Sequence, residues 1–150
     1  MPHIYVDADD CAVKDEVFRV AKRYALPVTL VANRWMFTPD DGRVALVVVG
    51  DGLDAADDWI VEHVAANDIV ICSDIPLAAR CVDRGARVVN SRGRVFTADD
   101  VGHALATRDL LKQLRESGVP TPGPKPFGPR DRSEFLQALD REVHRARAAR

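Results

Sequence analysis

Short unbroken apolar runs alternate along this chain with longer segments in which apolar residues recur with a helical period. The short runs lie at residues 4–6, 28–32, 44–49, 69–72 and 87–89, and are apolar except at Thr29 and Arg87. The helical segments lie at 13–25, 53–66, 75–83, 97–116 and 133–147. Apolar runs without alternation are typical of strands buried on both faces. The pattern therefore predicts an α/β fold, a three-layer sandwich with helices on both faces of a parallel sheet of about five strands.

One stretch near the C-terminus departs from this alternation. Residues 119–129 contain five prolines and two glycines, too many for a helix or a central strand. We predict that 118–132 is an extended connector and that 133–147 is a C-terminal helix of the same unit. No internal repeat is present, and 150 residues is the size of one ordinary domain, so 1–150 is predicted to be a single domain.

Carboxylates stand where two of the predicted strands end. Asp7, Asp9 and Asp10 follow the first run, and Asp74 follows the fourth. In parallel sheets ligands collect at the carboxyl ends of the strands, where the strand order reverses. If strands one and four are neighbours at that point, Asp7 and Asp74 face each other across a crevice. Crowded carboxylates repel one another, so they need a divalent cation or a basic side chain nearby.

A further carboxylate lies within a helical pattern. A helical wheel places Asp57 in the same stripe as Leu53, Ile60 and Val64, so its side chain is predicted to point towards the sheet. Asp58 and Glu62 fall on the outer face, and Asp54 lies near the boundary. Burying Asp57 alone would cost several kcal/mol, which predicts a partner for it.

Each acid also has an ordinary structural explanation. Asp74 is placed to cap the following helix, and Asp9 and Asp10 are typical of a strand-to-helix turn. Asp57 has two such roles open to it, a helix cap or an ion pair with Lys14. The functional interpretation rests on the coincidence of acids from three separate segments at one predicted edge of the sheet.

The set Asp7, Asp9, Asp57 and Asp74 suits Mg²⁺ or Mn²⁺, which prefer oxygen ligands and keep waters for a phosphate-bearing substrate. The chemistry indicated is phosphodiester hydrolysis, in which a metal generates hydroxide and stabilises the leaving oxygen of an in-line displacement. We therefore predict that these four residues are both the metal ligands and the catalytic residues.

Such chemistry also needs cations for the phosphates. The candidates are Lys14, Arg92, Arg94, Arg108, Arg130 and Arg132, because arginine makes bidentate phosphate contacts. The alternative for each is a solvated surface position. Residues 34–37 form an Arg-Trp-Met-Phe run, for which a hydrophobic flap over the sheet is favoured and stacking on an unpaired base is the alternative.

Composition narrows the classes of partner. A formal net charge of -2 and an isoelectric point near 6.1 argue against bulk electrostatic capture of nucleic acid, although a local basic face is compatible with them. The three cysteines have no metal-site spacing and are an odd number, which favours a reducing cytoplasm. No apolar run reaches the roughly 18 residues of a membrane span, and no signal-peptide pattern is present, so no membrane partner is expected.

Several motifs, in order along nearly the whole chain, resemble the YaiI/YqxD-like family of uncharacterised bacterial proteins. They are Tyr5-Val6-Asp7-Ala8-Asp9 with Cys11 and Lys14, Asp54-Ala55-Ala56-Asp57, Ser73-Asp74-Ile75-Pro76-Leu77-Ala78, Asn90-Ser91-Arg92-Gly93, Arg108-Asp109 and Arg130-Asp131-Arg132. This sequence departs from the usual family pattern after Asp9, with Asp10 in place of a small residue and Ala12 in place of proline. The departure leaves open whether Asp9 or Asp10 faces a metal.

The family is grouped with PIN-like domains, and the resemblance implies the strand order 3-2-1-4-5 with an acidic metal site at the carboxyl edge. By motif, Asp7, Asp9, Asp57 and Asp74 would be the acids of that site. Arg92, Arg108, Arg130 and Arg132 fall in the other recurrent motifs, whose role the resemblance does not define.

Three functions compete at this point. The leading one is a Mg²⁺- or Mn²⁺-dependent nuclease acting on RNA or single strands, with RNA chosen by fold analogy. Phosphatase chemistry of the haloacid-dehalogenase type is less favoured: Asp7-Ala8-Asp9 resembles its nucleophile motif, but no lysine lies between Ser73 and Lys112. The third is a non-catalytic PIN-like module that binds metal, nucleic acid or a protein. The sequence does not define the oligomeric state.

Overall fold

The computed structural model describes residues 1–9, 11–52, 54–121, 123 and 126–149. Its strands are β1 (Ile4–Asp7), β2 (Val28–Ala32), β3 (Val44–Val48), β4 (Ile69–Ile71), β5 (Arg87–Val89) and β6 (Val95–Phe96). Its helices are α1 (Lys14–Tyr24), α2 (Ala55–His63), α3 (Ile75–Asp83), α4 (Ala98–Glu116) and α5 (Pro129–Ala148). Across the described ranges the fold is α/β, as the alternation predicted.

The sheet has the order β3-β2-β1-β4-β5-β6. The first five strands along the chain pair in parallel, and β6 pairs antiparallel with β5. The chain runs from β1 out to β3 on one side and returns to β4 on the other, so the strand order reverses between β1 and β4. The order 3-2-1-4-5 implied by the family resemblance is confirmed, with one strand added at the edge.

Two hydrophobic cores lie on opposite faces of the sheet. Alternate strand residues such as Ile4 and Val6 pack with α1 and α5 on one face. Tyr5 and Val70 pack with α2, α3 and the first turns of α4 on the other. This is the predicted three-layer arrangement, and it leaves the carboxyl ends of β1 and β4 uncovered between the two helical layers.

The sequence missed one strand and misplaced some helix ends. The missed strand is β6, whose two residues are too few to carry a periodic signal. Helix α5 begins at Pro129 and not at residue 133, so residues 129–132 of the predicted connector are helical. Proline is favourable in a first helical turn because its missing N–H has no intrahelical partner there. Helix α2 is also shorter than the predicted 53–66, and Leu53 lies outside the described residues.

Three residues of the predicted connector, Pro122, Pro124 and Lys125, lie outside the described residues as well. In the part of the chain that the structure describes, no helix is both long and apolar enough to span a membrane.

Candidate functional site

A cleft of about 330 Å³ lies at the carboxyl edge of the sheet, where the strand order reverses. Its described lining is Asp7, Asp9, Asn33, Gly52, Asp54, Ala55, Ala56, Asp57 and Asp74. We call it the acidic cleft. Five of these nine residues are aspartates, and neither lysine nor arginine occurs among the described lining residues. All four predicted ligands therefore reach one cleft, together with a fifth acid, Asp54.

Asp7 is the last residue of β1 and pairs in register with Val31 of β2. Side chains alternate along a strand, so Asp7 leaves the sheet on the same face as Tyr5, towards α2 and α3. The strand itself is buried, and Asp7 is half-buried. The apolar run thus carries this carboxylate to the point between β2 and β4.

Asp57 is half-buried on α2, next to the buried Ala56 and one turn before the buried Ile60. Burial first, and then the negative charges of Asp74 and Asp54, raise the pKa of the Asp57 carboxyl to about 6. The wheel's assignment of Asp57 to the sheet-facing side thus agrees with the structure.

The two ordinary explanations for Asp57 do not hold among the described residues. Asp54 occupies the N-cap position of α2, in the left-handed region with φ 62°. The Lys14 amine donates to the Cys11 carbonyl oxygen over 3.3 Å, at the start of a helix on the opposite face of the sheet. Neither ordinary role therefore accounts for the position of Asp57. The charge of Arg80 lowers the pKa of Asp57, but this effect is smaller than those of burial, Asp74 and Asp54, so the surroundings of Asp57 are mainly acidic.

Asp74 has the capping role that was its ordinary explanation. Its Oδ1 accepts a hydrogen bond from the backbone N–H of Leu77 over 3.1 Å, at the start of α3. One carboxylate oxygen can accept this bond while the other faces the cleft. The cap fixes the side chain at the end of β4, so the structural and the proposed roles are compatible.

Asp9 is exposed and connects two loops at the cleft. Its Oδ2 accepts a hydrogen bond from the backbone N–H of Asn33 over 2.9 Å, which joins the β1–α1 turn to the segment after β2. Asp9 is therefore a turn residue and a cleft residue at once. Asp10 lies outside the described residues, so the choice between Asp9 and Asp10 stays a sequence-based alternative.

Sequence reasoning placed Asp54 only near a boundary and did not include it in the site. It stands three residues before Asp57 and next to the start of α2, and three positions separate neighbours on one helical face. That spacing was the signal that could have identified it.

A second cleft, of about 250 Å³, shares two of these acids. It is lined by Asp7, Cys11, Ile71, Cys72, Ser73, Asp74 and Ser91. Burial raises the pKa of the Cys11 thiol and raises that of Cys72 well above its usual range, with the charges of Asp7 and Asp74 adding to the effect on Cys72. These thiols are held neutral and are unsuited to nucleophilic attack.

Two of the predicted phosphate-binding arginines form part of a contact that holds α5. Arg92 donates to Asp131 Oδ2 over 3.2 Å, and Arg132 donates to Glu16 Oε1 over 2.9 Å and to the Ala12 carbonyl oxygen over 2.8 Å. Their guanidinium groups lie 5.7 and 5.0 Å from the centroid of the Phe127 ring. These arginines tie α5 to α1 and to the β5–β6 turn.

The other predicted cations lie apart from one another. Arg130 is highly exposed and pairs with Glu134 over 3.1 Å. Arg108 lies on α4, 3.9 Å from the carboxylate of Asp109. Lys14 lies beside Cys11 at the second cleft. The structure therefore gathers the predicted acids into one cleft and leaves the predicted cations on α1, α4, α5 and the β5–β6 turn.

The aromatic loop after β2 only partly matches the predicted flap. Met36 packs against the core, but Trp35 and Phe37 are 65% and 87% exposed. Their rings meet edge to face with centroids 4.7 Å apart. Two large aromatic rings thus lie in solvent two and four residues after Asn33, a residue of the acidic cleft.

The donor chemistry of the acidic cleft fits a hard divalent cation. Its described polar side chains offer carboxylate and amide oxygens only, which favours Mg²⁺ or Mn²⁺ over zinc. Among the described residues, no three His, Cys, Asp or Glu side chains are grouped closely enough to hold one ion together. Mg²⁺ commonly uses one or two carboxylates and keeps its waters, a mode that needs no group of three.

Comparison with known proteins finds one family over nearly the whole chain. A family model described as "Uncharacterized BCR, YaiI/YqxD family" matches residues 5–145. A UPF0178 protein of Bradyrhizobium sp. (strain ORS 278) is 53% identical over 150 residues, covering 98% of this chain and 92% of the relative. A UPF0178 protein of Rhodopseudomonas palustris (strain TIE-1) is 51% identical over 152 residues, covering 99% and 96%. These names state no reaction and no ligand.

Proposed function

The chain belongs to the YaiI/YqxD family, whose description assigns no reaction, and from the chemistry of the acidic cleft we propose a Mg²⁺- or Mn²⁺-dependent nuclease. Its substrate would be RNA or another single strand, and its reaction the hydrolysis of a phosphodiester bond. The same proposal includes membership of the PIN-like domain superfamily and a cytoplasmic location for the protein.

One observation carries the proposal. Five aspartates line one cleft at the reversal of strand order, and the described lining contains no basic side chain. Side chains of like charge repel one another unless an opposite charge lies among them. Burial is the largest cause of the raised pKa of Asp57, and the charges of Asp74 and Asp54, which add to it, are the part that reflects this repulsion. A divalent cation is the partner that would remove it.

The residues of the acidic cleft would have different roles at the cation, according to the element that carries each of them. Asp7 and Asp74 approach from the ends of adjacent strands and would be the direct ligands, with Asp57 opposite them on α2 and Asp9 at the mouth. When bound, the cation would supply a hydroxide from its water and offset the charge on the leaving oxygen. The five carboxylates by themselves would repel a phosphodiester, so the metal-free cleft disfavours its own substrate.

The phosphates on either side of the scissile bond would be held by cations outside the cleft. Lys14 and Arg108 are the first candidates of the predicted set by donor capacity, because an ammonium has three donors and the Arg108–Asp109 pair is long at 3.9 Å. Arg130 and Arg132 would contribute with guanidinium donors outside their ion pairs, and Arg92 is the remaining member of the predicted set.

The test is incubation of metal-replete protein with labelled single-stranded RNA and DNA, followed on denaturing gels. Cleavage is expected with Mg²⁺ or Mn²⁺ and not with a chelator. Asp7→Asn and Asp74→Asn should each reduce the rate at least about 100-fold, because each removes several kcal/mol of charge stabilisation. Asparagine also caps helices well, so Asp74→Asn should leave α3 intact.

Asp58→Asn is the matched control. Asp58 lies one residue from Asp57 on the outer face of α2 and pairs with Arg80 over 2.9 Å, so its loss should leave cleavage unchanged. Absence of cleavage by the wild-type protein with either metal would contradict the nuclease and favour the non-catalytic module. Equal loss in Asp58→Asn and Asp7→Asn would remove the acidic cleft as the site.

A further inference from the structure

A groove of about 350 Å³ lies on the far side of α3 from the acidic cleft. Its basic side chains are Arg94 from the β5–β6 turn and His103, Arg108 and Arg115 from α4. We call it the basic groove. The whole chain has a net charge of -2. Three arginines and a histidine around one groove are therefore a local excess of basic side chains in a protein whose net charge is negative.

The groove has one helical face as its wall. Ala104, Arg108, Leu111 and Arg115 follow one another at intervals of three or four residues, which places them on the same side of α4. The arginines stand beside apolar groups, because Ala104 and Leu111 share this wall and Ile75 closes the groove from α3.

Neutralisation of these cations within the protein is incomplete. Among the described residues, the side chain of Arg115 makes no hydrogen bond or ion pair, and the Arg108–Asp109 pair is 3.9 Å long. Arg94 lies over the Phe96 ring at 5.0 Å. A second acid near these cations is Asp100, whose pKa is lowered first by hydrogen bonds from Thr97 and then by the charges of Arg94 and His103. Two described carboxylates, Asp109 and Asp100, thus stand against three arginines and a histidine.

The groove adjoins the acidic cleft through the chain itself. Ile75 in the groove follows directly on Asp74 in the cleft, and Arg94 lies in the same turn as Ser91 of the second cleft. A ligand bound in the acidic cleft would therefore reach the basic groove by passing over the start of α3.

We propose that the basic groove binds the phosphates of a single-stranded nucleic acid that continues from the acidic cleft, with sugars or bases against Ile75, Ala104 and Leu111. This inference rests on the proposed function, because it takes the cleft ligand to be a nucleic acid. Arginines beside an apolar wall match a polyanion with exposed bases. An acidic protein segment would match the arginines, but it would not account for continuity with a cleft of carboxylates.

The test measures binding without cleavage. A fluorescent single-stranded oligo-uridylate is titrated with the full chain in chelator, and anisotropy is followed at several salt concentrations. Each phosphate contact to a single strand contributes about 0.7 to the slope of log affinity against log salt. Arg115→Ala should therefore reduce the slope by about 0.7, and Arg94→Ala with Arg115→Ala by about 1.4.

Lys112→Ala is the matched control, because Lys112 is an exposed cation of the same helix that does not line the groove. The slope of log affinity against log salt measured for Lys112→Ala should stay close to that of the wild type. Equal slopes for Arg115→Ala and Lys112→Ala would overturn the inference, since binding would then depend on charge and not on the groove. Binding of an oligo-glutamate peptide in place of the oligonucleotide would overturn it in favour of a protein partner.

Failure of the groove and failure of the nuclease are separable outcomes. Groove-dependent binding of an oligonucleotide that is never cleaved supports the groove and contradicts the proposed function. Cleavage that depends on Asp7 and is unaffected by the arginine substitutions supports the nuclease and overturns the groove.

Discussion

Asp57 is the residue whose energetics are most informative about the acidic cleft. Burial and the charges of Asp74 and Asp54 raise its pKa from 3.8 to about 6. Between these two values the folded protein holds the proton more tightly than the unfolded chain, so the metal-free protein loses stability as the pH rises through this window. Above about pH 6 that loss is complete.

Asp57→Asn should therefore stabilise the metal-free protein at pH 7.5 and have little effect near pH 4, where the native carboxyl is itself neutral. Thermal unfolding in chelator at pH 4 to 8 measures the difference between variant and wild type. That difference should increase between pH 4 and 6 and then level off. A variant less stable than the wild type at pH 7.5 would contradict the unfavourable environment assigned to Asp57.

The control for this experiment is again Asp58→Asn. Asp58 points outward and its carboxylate pairs with Arg80, so removing it deletes a favourable contact. It should not stabilise the protein at pH 7.5.

Trp35 allows a separate test of the substrate class. Its ring is exposed beside that of Phe37, two residues after Asn33 of the acidic cleft, and a base stacked on such a ring contributes about 1–3 kcal/mol. Trp35→Ala should weaken binding of single-stranded oligonucleotides by about 5- to 150-fold. In the wild type, binding should quench the emission of Trp35.

The second tryptophan, Trp59, stacks on His63 with centroids 3.7 Å apart, and a Trp59→Phe protein isolates the Trp35 signal. Unchanged emission of that protein on saturation with oligonucleotide would show that Trp35 does not touch the strand.

At the level of residues, the sequence identified Asp57 because a charge in an apolar helical stripe is visible on a wheel. It did not identify Asp54 as a cleft residue or pair Arg92 with Asp131. The first depends on a left-handed N-cap at φ 62°, and the second joins positions 39 residues apart. The spacing of three residues from Asp57 was the one signal available for Asp54. The Arg92–Asp131 pair leaves no periodic signal in the sequence.

Among the elements, α5 depends on a close approach to the turn between β5 and β6. Gly93 has φ +87°, and a Cβ atom built on it would lie 2.7 Å from the backbone oxygen of Glu134 in α5. Arg92, its neighbour, pairs with Asp131 in the first turn of the same helix. The β5–β6 turn and α5 therefore pack closely through backbone atoms, which cannot move apart without disturbing the helix or the turn.

Gly93→Ala should destabilise the protein by about 1–3 kcal/mol, because it combines an unfavourable backbone conformation with a backbone overlap. Urea unfolding followed by circular dichroism measures the change in the free energy of unfolding.

Gly102→Ala is the matched control and should have the opposite sign. Gly102 lies within α4 with nothing within 4 Å of its built Cβ, and alanine in a helix interior is favoured by about 1 kcal/mol. A Gly93→Ala protein as stable as the wild type would show that the turn and α5 are not tightly coupled.

The elements also show which parts of a fold can be predicted from sequence. Strands β2 and β5 and helix α3 have the predicted bounds, because a buried run between turn residues, or a helix between a cap and a glycine, defines both of its ends locally. The start of α5 was missed because Pro129 was counted with the preceding prolines. Strand β6 exists because it pairs with β5. The sequence of two residues does not reveal such a tertiary contact.

For the whole molecule, the acidic cleft predicts how stability responds to metal. Five carboxylates that repel one another in the folded protein are far apart in the unfolded chain, so a cation that binds the cleft favours the folded state. A ligand at 100 times its dissociation constant stabilises by about 2.7 kcal/mol. For a chain of this size that corresponds to a rise in Tm of about 5–10 °C.

Saturating Mn²⁺ should therefore raise the Tm of the wild type and of Asp58→Asn at pH 7.5, and should raise that of Asp7→Asn and Asp74→Asn much less. The rise should be smaller at pH 5.5, because Asp57, with its pKa of about 6, is then largely protonated and the proton competes with the metal. Differential scanning fluorimetry with Mn²⁺ against a chelator measures all four proteins in one experiment. An equal rise in Asp7→Asn would place the cation elsewhere on the surface, and the absence of any rise in the wild type would contradict the metal site.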